Sequence, residues 1–163
     1  MENTCVVCFK PKPTLSCGSC ESAVCKKCAQ FLEEGSFSFM SEAPALSKHT
    51  TFCGPCYDSA VAPALEDYQA AWNKARGIVM FFMEDSKQTR FFSRKEKEVK
   101  IEDCPDKDEV LLRLGFHAVE KGFNAMVDVE VNYKKIRKGG TYTTTSWSGV
   151  GIPTQVTSKR LLD

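Results

Sequence analysis

Eight cysteines stand in four C-x-x-C pairs within the first 56 residues: Cys5-Val6-Val7-Cys8, Cys17-Gly18-Ser19-Cys20, Cys25-Lys26-Lys27-Cys28 and Cys53-Gly54-Pro55-Cys56. No other feature constrains the fold as much. Two residues between thiolates let both sulfurs of one tight turn reach a single ion at about 2.3 Å, and two such turns complete a tetrahedron. Four pairs therefore predict two closed, all-thiolate zinc sites, two ions per chain, with no position left for a reacting water. A disulfide cage would need an oxidising compartment. The start, Met1-Glu2-Asn3-Thr4-Cys5, lacks the basic-then-apolar order of a secretory leader, and no apolar run approaches the roughly 18 residues of a membrane span. A cytoplasmic, metal-binding chain is the expectation.

The pairs are separated by 8, 4 and 24 residues, so the second and third lie back to back. Ligation can be sequential, joining the first pair to the second and the third to the fourth, or interleaved. The spacing resembles the FYVE/PHD/RING group of cross-brace zinc fingers over about residues 1–60, and the FYVE pattern most closely. That resemblance implies interleaving, with Cys5, Cys8, Cys25 and Cys28 on one ion and Cys17, Cys20, Cys53 and Cys56 on the other. It does not carry the FYVE lipid chemistry. The stretch Pro13-Thr14-Leu15-Ser16-Cys17-Gly18 has no Lys, Arg or His to donate charge-assisted bonds to a phosphate, so lipid binding is not expected. RING-type ligases usually place a His among their ligands. Here His49 is surplus to a full ligand count and reads as a surface loop residue. Lys10, Lys12, Lys26 and Lys27 read as compensation for the charge of about −4 that eight thiolates and two zinc ions carry. Between Cys28 and Cys53, residues such as Phe31, Leu32, Phe37, Phe39, Met40 and Phe52 are expected to cover the metal sites, with Phe37 to Phe39 as a short strand.

Val61, Leu65, Tyr68 and Trp72 recur at helical spacing and predict a helix that ends at Gly77, with Pro63 in its first turn or at a kink. Beyond it, Ile78–Met83 reads as a buried strand in a hairpin with Arg90-Phe91-Phe92. Val99 and Ile101 mark a half-buried strand. Asp106, with Glu109 three residues later, caps a helix whose buried face is Leu112, Phe116 and Val119, and Gly122 ends it. Val127, Val129, Val131 and Tyr133 alternate as a strand. Lys138-Gly139-Gly140 turns the chain into a returning strand from Thr141, closed by Gly151 and Pro153, and Val156–Leu162 reads as a last short strand. Asp128 and Glu130 are two apart on one strand face, and with Lys134 and Lys135 read as surface charges rather than an acid/base pair. His117 sits at the edge of the helix stripe. Cys104 reads as a packed thiol, although a helix N-terminus can lower a thiol pKa.

The run from Gly122 to Tyr133, with Trp147-Ser148-Gly149-Val150-Gly151 after it, is similar to the YbjQ-like family of small α+β proteins called heavy-metal-binding domains. The likeness covers about residues 105–152. It implies an α+β fold that assembles into homo-oligomers. The metal label is not adopted, because residues 77–163 hold one Cys and one His. The fold expected is α+β: residues 1–76 form a two-zinc finger with a C-terminal helix, and residues 77–163 a domain with one main helix on an antiparallel-type sheet. Lys plus Arg is 22 against 21 Asp plus Glu, and the charges divide evenly between the halves, so no nucleic-acid partner is expected. The function expected is a non-enzymatic, protein-interacting zinc finger on an oligomerising domain. The alternatives are a RING-like ubiquitin-ligase-type enzyme or a FYVE-like lipid-binding module.

Overall fold

The computed structural model describes residues 3–162; Met1 and Glu2, read above for a leader, and Asp163 lie outside them. The chain is α+β and divides into two compact units, Met1–Ala70 and Ala71–Asp163. Among the described residues no helix is long and apolar enough to cross a membrane.

The first unit is made of two minimal antiparallel hairpins and a helix. Strand β1 (Leu15–Ser16) pairs with β2 (Ala23–Val24), and β3 (Gln30–Phe31) with β4 (Thr51–Phe52). Its core joins Val24, Leu32, Phe37, Phe52 and Val61 to the sulfur-bearing Cys5, Cys17 and Cys53. Phe31 is an exception to the expected cover. It lies exposed on β3, because the adjacent Leu32 takes the inward position. The strand expected at Phe37–Phe39 is absent. Gly35 turns the chain at φ 77°, Ser38 and Met40 donate to Gly35 and Phe37 carbonyls, and the Phe37 ring meets Tyr68 edge-on at 5.4 Å.

Helix formation starts earlier than the apolar stripe suggests. Cys53 caps α1 (Gly54–Cys56), with Pro55 in the first turn where its missing N–H is harmless. A π-type turn follows over Tyr57–Val61, and then α2 (Ala62–Arg76). The wide turn is the structure's answer to Pro63. The Ala62 N–H bonds back to the Tyr57 carbonyl, which opens the backbone just where the proline ring would meet the preceding turn. Leu65 and Tyr68 then pack on the finger core, as Val61 does.

The second unit is a four-stranded sheet ordered β5 (Val79–Phe82), β7 (Ala125–Arg137), β8 (Thr143–Thr154), β6 (Val99–Cys104). Strands β6, β8 and β7 are antiparallel, and β5 joins β7 in parallel. The expected hairpin of Ile78–Met83 with Arg90–Phe92 is therefore not formed. After β5 the chain turns through a short helix, α3 (Ser86–Thr89), and the Phe92 ring folds onto Phe81 at 5.0 Å. Residues 90–92 supply an apolar cap rather than a strand.

One helix, α4 (Lys107–Glu120), crosses the sheet. Asp106 accepts from the Glu109 N–H at 2.8 Å, as its capping pattern requires. At the other end Phe123 and Gly122 donate to the Ala118 and Val119 carbonyls, with Gly122 at φ 79°, the six-to-one and five-to-two bonds of a Schellman stop. The buried face is Val110, Leu114, Phe116 and Ala118, not Leu112 and Val119, which are half-buried. Gly115 sets that rotation. A Cβ there would lie 2.6 Å from the Ala75 carbonyl oxygen, and Gly149 lies equally close beneath Val110. Small residues let the helix sit against both neighbours, which turns Val110 and Leu114 inward.

Strand β7 does not alternate as its sequence does. Asp128 adopts φ 53° in a bulge between Val127 and Glu130. Val127 consequently packs with Phe81 and Val156 on one face, while Val129 packs with Val110 and Leu114 on the other. Arg94 clamps the bulge. Its Nε and Nη2 donate to the Asp128 carboxylate at 2.6 and 2.9 Å, and Nη1 donates to the Thr89 carbonyl at 2.9 Å. Strand β8 runs on through Gly151 and Pro153 to Thr154; β6 has its last partner at Gly151, so a proline beyond it interrupts no ladder on that side. Val156–Leu162 forms no strand. The Asn124 side chain bonds both the N–H and the carbonyl of Val156, each at 2.8 Å, and a short 3-10 turn covers Lys159–Leu161.

Candidate metal centre

The eight paired cysteines come together as two groups of four: Cys5, Cys8, Cys25 and Cys28, and Cys17, Cys20, Cys53 and Cys56. Within each group the sulfurs all lie within 4.8 Å of one another. Of the two arrangements left open by spacing, the interleaved one is thus the one the fold brings together. The hairpins explain why. Pairing Leu15 with Val24 sets the knuckle after β1 and the knuckle after β2 at opposite ends of a two-residue ladder, so neighbouring pairs cannot converge. Each turns instead to a more distant partner.

The geometry suits a tetrahedral ion. Four sulfurs at about 2.3 Å from one centre are about 3.8 Å apart. Cys8 Sγ lies 3.8 Å from Cys25 Sγ, and Cys20 Sγ lies 3.9 Å from Cys53 Sγ. Backbone donors already face the sulfurs: the Cys25 N–H points to Cys5 Sγ and the Ser19 N–H to Cys17 Sγ, both at 3.4 Å. These donors are not visible in the C-x-x-C spacing. They arise from the tightness of each turn.

Electrostatics single out the same groups. Backbone N–H groups, that of Cys8 foremost, hold the Cys5 thiol down to about 6. Burial pushes Cys17 up, but N–H groups of Cys20, Cys53 and Ser19 outweigh it and bring it to about 6. Cys28 is pushed up to about 12 by the thiols of Cys25 and Cys8, and Cys56 to about 12 by those of Cys53 and Cys20. Without a cation each group stabilises its first thiolates and resists its last. A divalent ion removes that resistance, and thiolate donors in a closed tetrahedron favour zinc over hard cations.

The surroundings of the two groups differ. Beside Cys5–Cys28 lie Val6, Val7 and Phe9, exposed by 40%, 39% and 76%, with Lys10, Lys12, Lys26 and Lys27 also exposed. Beside Cys17–Cys56 the intervening residues are small: Gly18, Ser19, Gly54 and Pro55. Gly18 is a required glycine there, because a Cβ would fall 2.3 Å from His49 Cβ. His49 is exposed, as read from sequence, and packs across this knuckle without joining the sulfurs. The residue after the second Cys is left-handed in the first two pairs, Phe9 at φ 58° and Glu21 at φ 60°, a position where side chains other than Gly are strained.

The other residues singled out in the sequence form no site. Cys104 is buried against the second core, and burial raises its pKa, so the helix N-terminus does not activate it. His117 is half-buried and its pKa is lowered by burial. Asp128 is a structural anchor for Arg94, which holds its pKa below the ordinary aspartate value, and Glu130 accepts from the Asn132 side chain at 3.2 Å. Among the described residues no further group of three potential ligands is close enough to hold an ion. No protein-family model matches the chain, and neither a curated protein nor a solved structure matches it.

Proposed function

We propose that the first unit is a structural zinc finger holding two zinc ions, and that its Cys5–Cys28 end docks another protein. The observation that carries the docking role is the exposed Val6-Val7-Phe9 knuckle. Three large apolar side chains stand in water at a turn that a metal ion would hold rigid. Rigid apolar groups lose little entropy on binding, and the four lysines around them favour an acidic partner surface. A closed all-thiolate shell supplies no catalytic water, so the role is recognition rather than chemistry. Elemental analysis should give two zinc ions per chain. Cys17→Ser should release the ion shared with Cys53 and Cys56 and spare the other. A photo-crosslinker at Val7 should capture a protein from native lysate, one at Ser19 should not, and Phe9→Ser should abolish the adduct. Equal capture from both positions would remove the docking role while leaving the zinc sites intact.

Self-assembly of the second unit belongs to the same reading. Strands β5 and β6 are the outer strands of its sheet, and open edges accept further strands. A monomer in sedimentation equilibrium at tens of micromolar would exclude it.

A further inference from the structure

Between Glu130 and Asp163 the sequence has no acidic residue and six basic ones. Four of these, Lys134, Lys135, Arg137 and Lys138, fall on the hairpin of β7 and β8. The fold gives that hairpin an unusual exposure. The last β5 partner on β7 is Val129, and the last β6 partner on β8 is Trp147. From Lys134 to Ser146 the two strands therefore have only each other, in the pairs Lys134–Ser146, Lys135–Thr145, Ile136–Thr144 and Arg137–Thr143. Four pairs make a ribbon roughly 14 Å long before its Gly139–Gly140 turn.

The ribbon's two sides follow from register. Tyr133, Lys135 and Arg137 share one side with Trp147, whose ring lies 5.0 Å from that of Tyr133. On the other side, Asp103 is the nearest carboxylate, with the Ser146 hydroxyl 3.5 Å from it. All four cations are exposed, and the ion pairs among the described residues involve none of them. Tyr133 and Tyr142 are 62% and 69% exposed. Cations free of partners, aromatic rings at base and tip, and threonine hydroxyls between them are the donors that a phosphodiester backbone recruits. The near-neutral balance of the whole chain conceals this. Without these four, 18 basic residues would face 21 acidic ones, so the positive charge is gathered on one projection.

We infer that the β7–β8 ribbon is a nucleic-acid-binding arm that enters the major groove of duplex DNA, with Lys134, Lys135, Arg137 and Lys138 on the phosphates. This departs from the expectation drawn from charge averaged over each half. Duplex DNA is the source that fits, since its major groove, about 12 Å wide, admits a two-stranded ribbon, whereas that of duplex RNA is deep and narrow.

The test is fluorescence anisotropy with the full-length, zinc-loaded chain and a labelled 20-base-pair DNA of mixed sequence, between 50 and 200 mM salt. Duplex RNA and single-stranded DNA of equal length run in parallel. Four phosphate contacts predict a log–log salt slope near −3.6, an affinity loss of about 100-fold across that range. Changing all four cations to Gln should remove most of the slope and the binding, with zinc content and circular dichroism unchanged. Lys135→Gln alone should lower the slope by about 0.9. No DNA binding at 50 mM salt overturns the inference, as does equal binding by the fourfold variant. Tighter binding to duplex RNA or to the single strand overturns groove entry. A fourfold variant that changes oligomeric state instead of DNA binding reassigns the ribbon to self-association.

Discussion

The two units of this chain solve the same problem of size in opposite ways. The first buries few large apolar side chains, Leu32, Phe37 and Phe52 foremost, and sets cysteines among them in its core. Its strands are two residues long, too short to hold a sheet by pairing alone. The second covers a four-stranded sheet on both faces, with α4 on one and Phe81, Val127 and Val156 on the other. Burial of side chains suffices there. In the first, the free energy has to come from sulfur and metal.

The comparison breaks most readily on chelation. Structural zinc contributes on the order of 10–16 kcal/mol of apparent binding free energy in small fingers. A strong chelator should therefore abolish hydrogen-exchange protection over residues 5–56 and leave residues 110–150 protected. Joint loss would mean that the two units unfold as one. The converse experiment is Gly115→Ala. Its methyl would press on the Ala75 carbonyl, and overpacking of this kind costs about 1–3 kcal/mol. Thermal melts of the second unit should shift down while zinc content stays at two. A loss of zinc in that variant would show that the finger depends on the second unit.

Smaller effects sharpen the contrast. Asp128→Asn keeps the left-handed bulge, which Asn tolerates, but weakens the clamp by Arg94. About 1 kcal/mol is expected, because both groups keep some contact with water. The sign with pH follows from the lowered pKa of Asp128. Its contribution is complete above the ordinary aspartate pKa of about 4 and fades as pH falls through the lower folded value. The Asn variant should lack that acid-side loss in chemical denaturation of the second unit, and parallel pH profiles for the two proteins would refute the assignment. Smallest of all, Glu21→Gly should stabilise the finger by about 1 kcal/mol, since Glu21 sits at φ 60°. A competition titration for zinc would register tighter retention, and unchanged or weaker retention would mean the Glu21 side chain compensates its strain.

Legibility in the sequence followed the range of the interactions. The α4 cap at Asp106 and stop at Gly122 depend on residues within one turn, and both are readable. The spacing of the cysteines announced two sites but left their pairing open, and the FYVE-like resemblance pointed to the grouping that the fold assembles. The parallel partner of β5 was not readable, because Phe82 meets Val129 across 47 positions and the nearer apolar run at Phe91-Phe92 offered a local alternative. The bulge at Asp128 was hidden for a different reason. Val127, Val129 and Val131 alternate without a break, and only the clamp from Arg94, far off in sequence, reveals that the alternation is interrupted. The face of α4 was misread because it is set by glycines, Gly115 and Gly149, whose signal is the absence of a side chain.

The interleaving of the sulfurs also dictates an order of events during synthesis. The cysteines of the first group are complete once Cys28 has left the ribosome, whereas the second group waits for Cys56. The contact between Cys8 and Cys25 closes 17 positions and that between Cys20 and Cys53 closes 33, a doubling that adds only about 0.6 kcal/mol of closure entropy. Capture of the first ion is thus nearly as favourable for the half-made chain as for the finished one. It also fixes the β1–β2 hairpin, leaving Cys17 and Cys20 held side by side as a bidentate hook for the next ion. Metal loading then proceeds vectorially, and a nascent chain starved of zinc at that moment would expose eight uncommitted thiols to oxidation and mispairing.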